Sequence, residues 1–212
     1  MNRKGQLIVV SGPSGVGKGT VLGEYLSSRE NIAYSVSATT RFPRPGEQDG
    51  VHYFFLSKEA FQQTANSGGM LEYANYNGNF YGTPKAPVEQ KRAQGIDVVL
   101  EIEVQGALQV KKVCPDALLI FIAPPSFAEL QSRLTGRHTE DEQTVANRLA
   151  IAKGELEQAY QYDYVVVNDT VAQAVQRLEL IVEANRYNMH NMKEFLDEVN
   201  HNAYASNVPD YS

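Results

Sequence analysis

Four consecutive apolar residues, Leu7-Ile8-Val9-Val10, run directly into Ser11-Gly12-Pro13-Ser14-Gly15-Val16-Gly17-Lys18-Gly19-Thr20. No other stretch of the chain limits the fold as strongly. A short continuous apolar run that ends in a turn reads as a strand buried on both faces of a parallel sheet. The glycines let the backbone wrap and aim its N–H groups into one concavity. A helix opening at Lys18, with Val21, Leu22, Tyr25 and Leu26 on one face, adds the partial positive charge of its N-terminus. Strand, glycine-rich turn, lysine and helix in that order make a phosphate-cradling P-loop. Lys18 supplies a point charge to the β- and γ-phosphates of a nucleotide. The candidate contacts are Gly12, Pro13, Ser14, Gly15, Val16, Gly17, Lys18, Gly19 and Thr20.

The usual loop carries Ser or Thr directly after the lysine as a Mg²⁺ ligand. Here that position is Gly19, followed by Thr20. Position 19 has no hydroxyl, so Mg²⁺ is expected to be held through phosphates and water.

The rest of the chain repeats the strand-then-helix alternation. Ile32, Tyr34 and Val36 alternate with other residues; Ile96–Ile102, Ala117–Ile122 and Tyr164–Val167 are further apolar runs. This predicts an α/β fold, a mainly parallel sheet with helices on both faces. Two segments depart from it. Residues 38–83 are rich in Tyr, Phe, Gly and Asn, and Asn77-Gly78 between strand-like runs signals a hairpin. They predict a small, mostly β insertion. Thr83 is expected to cap a helix with Pro84 at its first position, and Gly95 to end it. Residues 126–160 carry two capping-box patterns, at Ser126–Glu129 and Thr139–Glu142, and predict two helices joined by a charged turn. This segment holds Arg133, Arg137 and Arg148. The expected organisation is a core of residues 1–37, 84–125 and 161–188, the insertion 38–83, and a helical lid 126–160. Residues 189–212 are read as a helix end and polar tail, with the last ten or so disordered.

Composition narrows the functions. The 212 residues carry a formal net charge of −6, which disfavours sequence-independent nucleic-acid binding through summed Lys and Arg contacts. The single cysteine, Cys114, precludes an intrachain disulfide framework and a multi-Cys zinc site. Without an apolar run of membrane-spanning length or a signal-peptide layout, the expectation is a cytoplasmic protein, monomeric or homo-oligomeric.

A second signal is Thr39-Thr40-Arg41-Phe42-Pro43-Arg44-Pro45-Gly46-Glu47. Two guanidinium forks three residues apart, in a segment held extended by prolines, match phosphate oxygens. Around it lie Val51-His52-Tyr53-Phe54-Phe55, Leu71-Glu72-Tyr73-Ala74, Gly78-Asn79-Phe80-Tyr81-Gly82-Thr83, Glu101-Ile102-Glu103-Val104-Gln105-Gly106-Ala107, Asn147-Arg148-Leu149 and Val166-Val167-Asn168-Asp169. With these blocks in this order, the chain resembles the guanylate kinases over about residues 5–188.

The resemblance implies a nucleoside monophosphate kinase with a P-loop core, a GMP-binding insertion and a helical lid. It implies transfer of the γ-phosphoryl group of ATP to GMP or dGMP, with Mg²⁺ as cofactor. Arg41, Arg44, Tyr53 and Tyr81 would hold the GMP phosphate, and Glu47 would orient the arginines. Glu72 would read guanine N1–H and the 2-amino group, which an ionised carboxylate can accept together. Ser37 and Thr83 would add hydroxyl bonds to the base. Glu101 and Glu103 would serve the base edge or metal-bound water, with Mg²⁺ near Glu101. Asn168 joins the ATP-binding set. Lys18, Arg41, Arg133, Arg137 and Arg148 would be the catalytic cations, with the lid arginines brought in by closure.

Two departures stand out. Where the family commonly has Asp-Ile-Asp, this chain has Glu101-Ile102-Glu103, and His138 follows Arg137 where glycine is usual. Two rival readings follow from the same blocks. A guanylate-kinase-like module that binds proteins would typically lack the lysine or the lid arginines. A P-loop kinase for a sugar phosphate would have no use for Glu72 beside Ser37 and Thr83.

Overall fold

The structure is a computed structural model that describes residues 4–135 and 142–205. In chain order the elements are β1 (Leu7–Ser11), α1 (Lys18–Ser27), β2 (Ile32–Tyr34), β3 (Ala38–Thr39), β4 (Phe54–Phe55), α2 (Lys58–Asn66), β5 (Met70–Tyr76) and β6 (Asn79–Pro84). They continue with α3 (Lys85–Ala93), β7 (Asp97–Glu101), α4 (Val104–Val113), β8 (Leu118–Ala123), α5 (Phe127–Thr135), α6 (Glu142–Gln158), β9 (Tyr164–Val167), α7 (Val171–Asn185) and α8 (Met189–Ala205).

The apolar run at the N-terminus is the middle strand of a parallel five-stranded sheet ordered β2-β7-β1-β8-β9. Val9 pairs with Leu100 on one side and Leu119 on the other. Successive side chains of β1 point to opposite faces, so the strand feeds two cores at once. Ile8 and Val10 pack with Val21, Leu22 and Tyr25 of α1 and with Leu178 and Val182 of α7. Leu7 and Val9 pack on the other face with Val88 of α3 and with Ala107 and Val110 of α4. All five strands run the same way, so Ser11, Glu101, Ala123 and Val167 end at one edge of the sheet. That carboxyl edge is where open α/β sheets bind ligands.

Residues 38–84 form a second sheet ordered β4-β3-β6-β5. Asn77 at φ 49° and Gly78 at φ 77° make the tight turn between β5 and β6 that the Asn-Gly pair predicts. Ala38, Phe61 and Met70 form the small core of this sheet, with the Phe61 and Phe80 rings stacked at 5.4 Å. Phe61 belongs to α2, a helix that the reading of this segment as mostly β did not anticipate. Its start is marked locally: Ser57 Oγ accepts the Ala60 N–H at 3.1 Å.

Several local expectations shift. The helix after the insertion begins at Lys85 with Pro84 as its cap residue, while Thr83 stays in β6. The Thr83 hydroxyl has a stronger partner than a helix N-terminus, as described below. Gly95, at φ 79°, does follow the end of that helix. At Ser126 half of the capping box forms: Ser126 Oγ accepts from the Glu129 N–H at 3.1 Å, but the Glu129 carboxylate turns to Arg133 instead of closing the box. Thr139, Glu140 and Asp141 of the second box lie outside the described residues, as do Arg137 and His138. His52 sits in a turn. Met189–Ala205 is a separate 17-residue helix, α8, and not a helix end. Asn188 Oδ1 accepts the Asn191 N–H at 2.8 Å at its start, so the polar composition there belongs to a solvated helix. The last residues read as a disordered tail, 206–212, lie outside the described residues.

Candidate active site

Gly17 adopts φ 92° as the residue that opens α1, a conformation that suits glycine and aims the following N–H groups into the loop. Lys18 Nζ donates to the carbonyls of Gly12 at 2.5 Å and Pro13 at 3.2 Å, so its ammonium lies across the mouth of the loop. Burial pushes the Lys18 ammonium below its usual range, against the opposing charges of Glu101, Glu155 and Glu103. Asn168, which follows β9, is buried beneath the loop, and its Nδ2 donates to the Val16 carbonyl at 2.8 Å. The side chain supports the loop from behind.

The described lid arginines already touch this loop. Arg133 of α5 donates to Val16 O at 3.3 Å and to Asn168 O at 3.1 Å. Arg148 of α6 donates from Nη2 to the Ser14 hydroxyl at 2.8 Å. Arg137, the third arginine of the expected set, lies outside the described residues. Seven residues after Arg148, two turns along α6 on the same side, stands Glu155. Burial raises its carboxyl, the Lys18 charge and the Ser14 N–H lower it, and its Oε2 is buried without a hydrogen-bond partner. Sequence reading missed Glu155, although its helical spacing from Arg148 was the available signal.

Thr20 is exposed, and a Cβ placed at Gly19 would lie 4.0 Å from Glu101 Oε2. The bare Gly19 backbone thus faces a carboxylate that also accepts from the Tyr34 hydroxyl at 3.1 Å. Carboxylate and phosphate oxygens are the ligands Mg²⁺ takes, usually with several waters retained. Glu101 beside the phosphate loop fits such an ion.

In the insertion, Arg41 donates to Glu47 Oε1 at 2.9 Å, and Glu47 Oε2 accepts the Arg44 backbone N–H at 2.7 Å. One carboxylate therefore fixes both arginine positions. The Arg41 hydrogen bond, then the Arg44 N–H, pull Glu47 down to about 2. The Arg41 guanidinium lies 5.5 Å from the Tyr53 ring centroid, and the Tyr53 and Tyr81 rings meet edge-on at 6.2 Å. Arg41, Arg44, Glu47, Tyr53 and Tyr81 thus form one cluster. Thr39 and Thr40, which sequence reading passed over, anchor it to the sheet. Thr39 Oγ1 accepts the Arg41 N–H at 3.2 Å, and Thr40 Oγ1 accepts the Phe80 N–H at 2.9 Å. Ser37, half-buried, leads into β3, and its carbonyl accepts from Phe54 N at 2.9 Å.

Glu72 is 8% exposed, which rules out an ordinary solvated strand glutamate. Its Oε1 accepts from the Thr83 hydroxyl at 2.6 Å. Its other oxygen lies over Gly106, where a Cβ would come within 3.0 Å. Burial pushes the Glu72 carboxyl up; the Thr83 bonds oppose this and the Glu103 charge adds to it. Glu103, exposed at the start of α4, acts on both Glu72 and Lys18. It links the carboxylate pocket with the phosphate loop.

A P-loop at the carboxyl edge of a parallel sheet, beside a second cationic cluster and a buried acceptor-only carboxylate, defines a P-loop kinase of small phosphorylated acceptors. The sequence profile described as "Guanylate kinase" matches residues 4–185. Guanylate kinase of Listeria monocytogenes serotype 4b is 51% identical over 202 residues, covering 93% of this chain and 98% of its own. That of Streptococcus pneumoniae strain R6 is 54% identical over 188 residues, covering 88% and 90%. The crystal structure of guanylate kinase from Anaplasma phagocytophilum superposes with a TM-score of 0.69 at 33% identity, over 92% of this chain and 95% of its own. The chain belongs to the guanylate kinase family, and its activity is that of a guanylate kinase, a phosphotransferase.

Proposed function

We propose that Lys18 and the loop Gly12–Thr20 hold ATP, while Arg41, Arg44, Tyr53 and Tyr81 hold the phosphate of GMP or dGMP. Glu72, Thr83 and Ser37 read the base. The observation that carries this reading is the buried Glu72 with one oxygen engaged by Thr83. A buried carboxylate matches the adjacent N1–H and 2-amino donors of guanine. Adenine offers neither, and a pocket that leaves a buried carboxylate unpaired discriminates by roughly 10⁴ or more.

A GMP phosphate oxygen is ionised at neutral pH and needs no strong base to attack. Catalysis is then positioning and charge neutralisation. Arg41 is held by Glu47 and aligns the acceptor phosphate. Lys18 spans the outer phosphates of the donor. Arg148, on the Ser14 hydroxyl, and Arg133, on Val16 and Asn168, bring two further cations to the loop where the γ-phosphoryl group would lie; Arg137, expected as the third, lies outside the described residues. Mg²⁺ carried in with ATP would neutralise phosphate charge, with Glu101, and Glu103 beyond it, as partners for its water. The acidic charge and the single buried Cys114 agree with work in the cytoplasm on free nucleotides, away from nucleic acid and membrane.

A coupled assay of ADP release tests the substrate reading, with GMP, dGMP, AMP and ribose phosphates offered in turn. Turnover with GMP and dGMP, and little with AMP, is expected. Equal rates with GMP and AMP would overturn the role of Glu72.

A further inference from the structure

β5, which carries Glu72, is the outer strand of the insertion sheet. Its free edge exposes backbone donors and acceptors that need partners. At Tyr73, the residue after Glu72, one side chain supplies both. Gln109 of α4 accepts the Tyr73 N–H through Oε1 at 3.2 Å and donates from Nε2 to the Tyr73 carbonyl at 3.3 Å. The amide imitates one residue of an added strand. Gln109 lies three residues after Gly106, so both face β5 from the same side of α4. Gly106 gives the Glu72 carboxylate room, since a Cβ there would stand 3.0 Å from Oε2.

We propose that Gln109 is a positioning residue for guanine recognition. Its two-bond clamp on Tyr73 fixes β5 against α4 and so holds the Glu72 carboxylate in register with the base. Gly106 is the complementary feature of the same helix face, keeping the space that the carboxylate occupies. The same helix opens at Glu103, which acts on Lys18 as well as on Glu72. This inference rests on the reading of Glu72 as the group that binds guanine.

The test compares Gln109→Met, which keeps length and loses both bonds, with Gln109→Glu, which keeps the acceptor and loses the donor. KM for GMP and for ATP are measured separately, along with the ratio of GMP to AMP turnover and the Tm. The expected result for Gln109→Met is a rise in KM for GMP of about tenfold, the size expected for two lost hydrogen bonds, with KM for ATP within about twofold. The GMP-over-AMP ratio falls with it, and Gln109→Glu lies between. Gly106→Ala is expected to raise KM for GMP without lowering Tm, because alanine favours a helix interior by about 1 kcal/mol over glycine. In a Glu72→Ala background, Gln109→Met should cost no further GMP affinity, since the group it positions is gone. Unchanged KM for GMP in Gln109→Met, or equal rises for GMP and ATP, would overturn the proposal while Glu72→Ala still impairs GMP binding. If Glu72→Ala itself left GMP binding intact, the reading of Glu72 would fail and this inference with it.

Discussion

Thr83 and Glu72 face each other across the β5–β6 pair, and the threonine hydroxyl donates to the buried carboxylate at 2.6 Å. The bond leaves the second carboxylate oxygen for a ligand and fixes the plane of the group. Thr83→Val keeps the shape and removes the donor. A hydrogen bond to a charged group contributes about 1.5–3 kcal/mol, so KM for GMP should rise on the order of tenfold. KM for ATP should stay within about twofold. Steady-state kinetics with each substrate varied in turn checks this; an unchanged KM for GMP would show that the hydroxyl does not orient the carboxylate.

Burial holds the Glu72 carboxyl above the usual value, with Thr83 opposing and Glu103 adding to the rise. A carboxyl raised in the folded state binds its proton more tightly there than in the unfolded chain. Its favourable share of stability is present below the unfolded pKa and is lost as pH rises through the folded one. At neutral pH the ionised Glu72 is thus a cost to the empty fold. Glu72→Gln should raise Tm at about pH 8 and make little difference at about pH 4, while relaxing the preference for GMP over AMP. Melting curves across that range, with the two acceptors assayed in parallel, give the answer. A Tm difference that shrank towards alkaline pH would contradict the sign.

The parts of this fold legible in the sequence are those dictated by short-range chemistry. Leu7–Val10 is a strand because a parallel strand buried on both faces must be apolar on both, whereas the equally apolar Tyr164–Val167 run forms the edge strand, where only Val166 is buried. Asn77-Gly78 is a hairpin turn because both positions need positive φ. What was not legible depends on competition between distant partners. Thr83 fits the pattern of a helix cap, but a buried carboxylate 11 residues away is the better acceptor. α8 looked like a tail because a solvated helix lacks a broad apolar face. Glu155 stands among the charges of the lid, and only the fold shows that its carboxylate turns inward to Lys18. The Arg41–Glu47 pair could be foreseen because a tight turn joins its members.

Arg92 shows stability managed apart from catalysis. Its guanidinium is buried where the chain enters β1, donating to Gly5 O at 2.9 Å, to Glu89 Oε1 at 2.9 Å and to Asp116. Burial alone would push Asp116 up; the Arg92 hydrogen bond and charge outweigh it and hold the carboxyl low. The stability from that pair is present above the unfolded carboxylate pKa and is lost as pH falls through the folded one. Arg92→Ala takes a guanidinium partner from Asp116 and from the Gly5 carbonyl, while Glu89 keeps its ion pair with Lys4. A loss of about 3 kcal/mol is expected, or roughly 6–12 °C in Tm. The site lies at the opposite end of β1 from the loop, so kcat below the melting range should change less than about twofold. A fall in kcat without a fall in Tm would reverse this assignment.

Arg148 joins α6 to the phosphate loop through the Ser14 hydroxyl at 2.8 Å. Ser14 is exposed on the loop. A guanidinium there would stabilise charge that is most spread out midway through transfer, and would add little to the binding of GMP, whose proposed contacts lie on the insertion. Arg148→Ala should therefore lower kcat by about 100-fold or more, with the affinity for GMP, measured by calorimetry without ATP, within about threefold. Lysine at this position keeps the charge but loses the planar fork, so Arg148→Lys should recover part of kcat. Loss of GMP affinity with little loss of kcat would move Arg148 out of the transfer step. It would leave Lys18 and Arg133 as the described cations on the donor side.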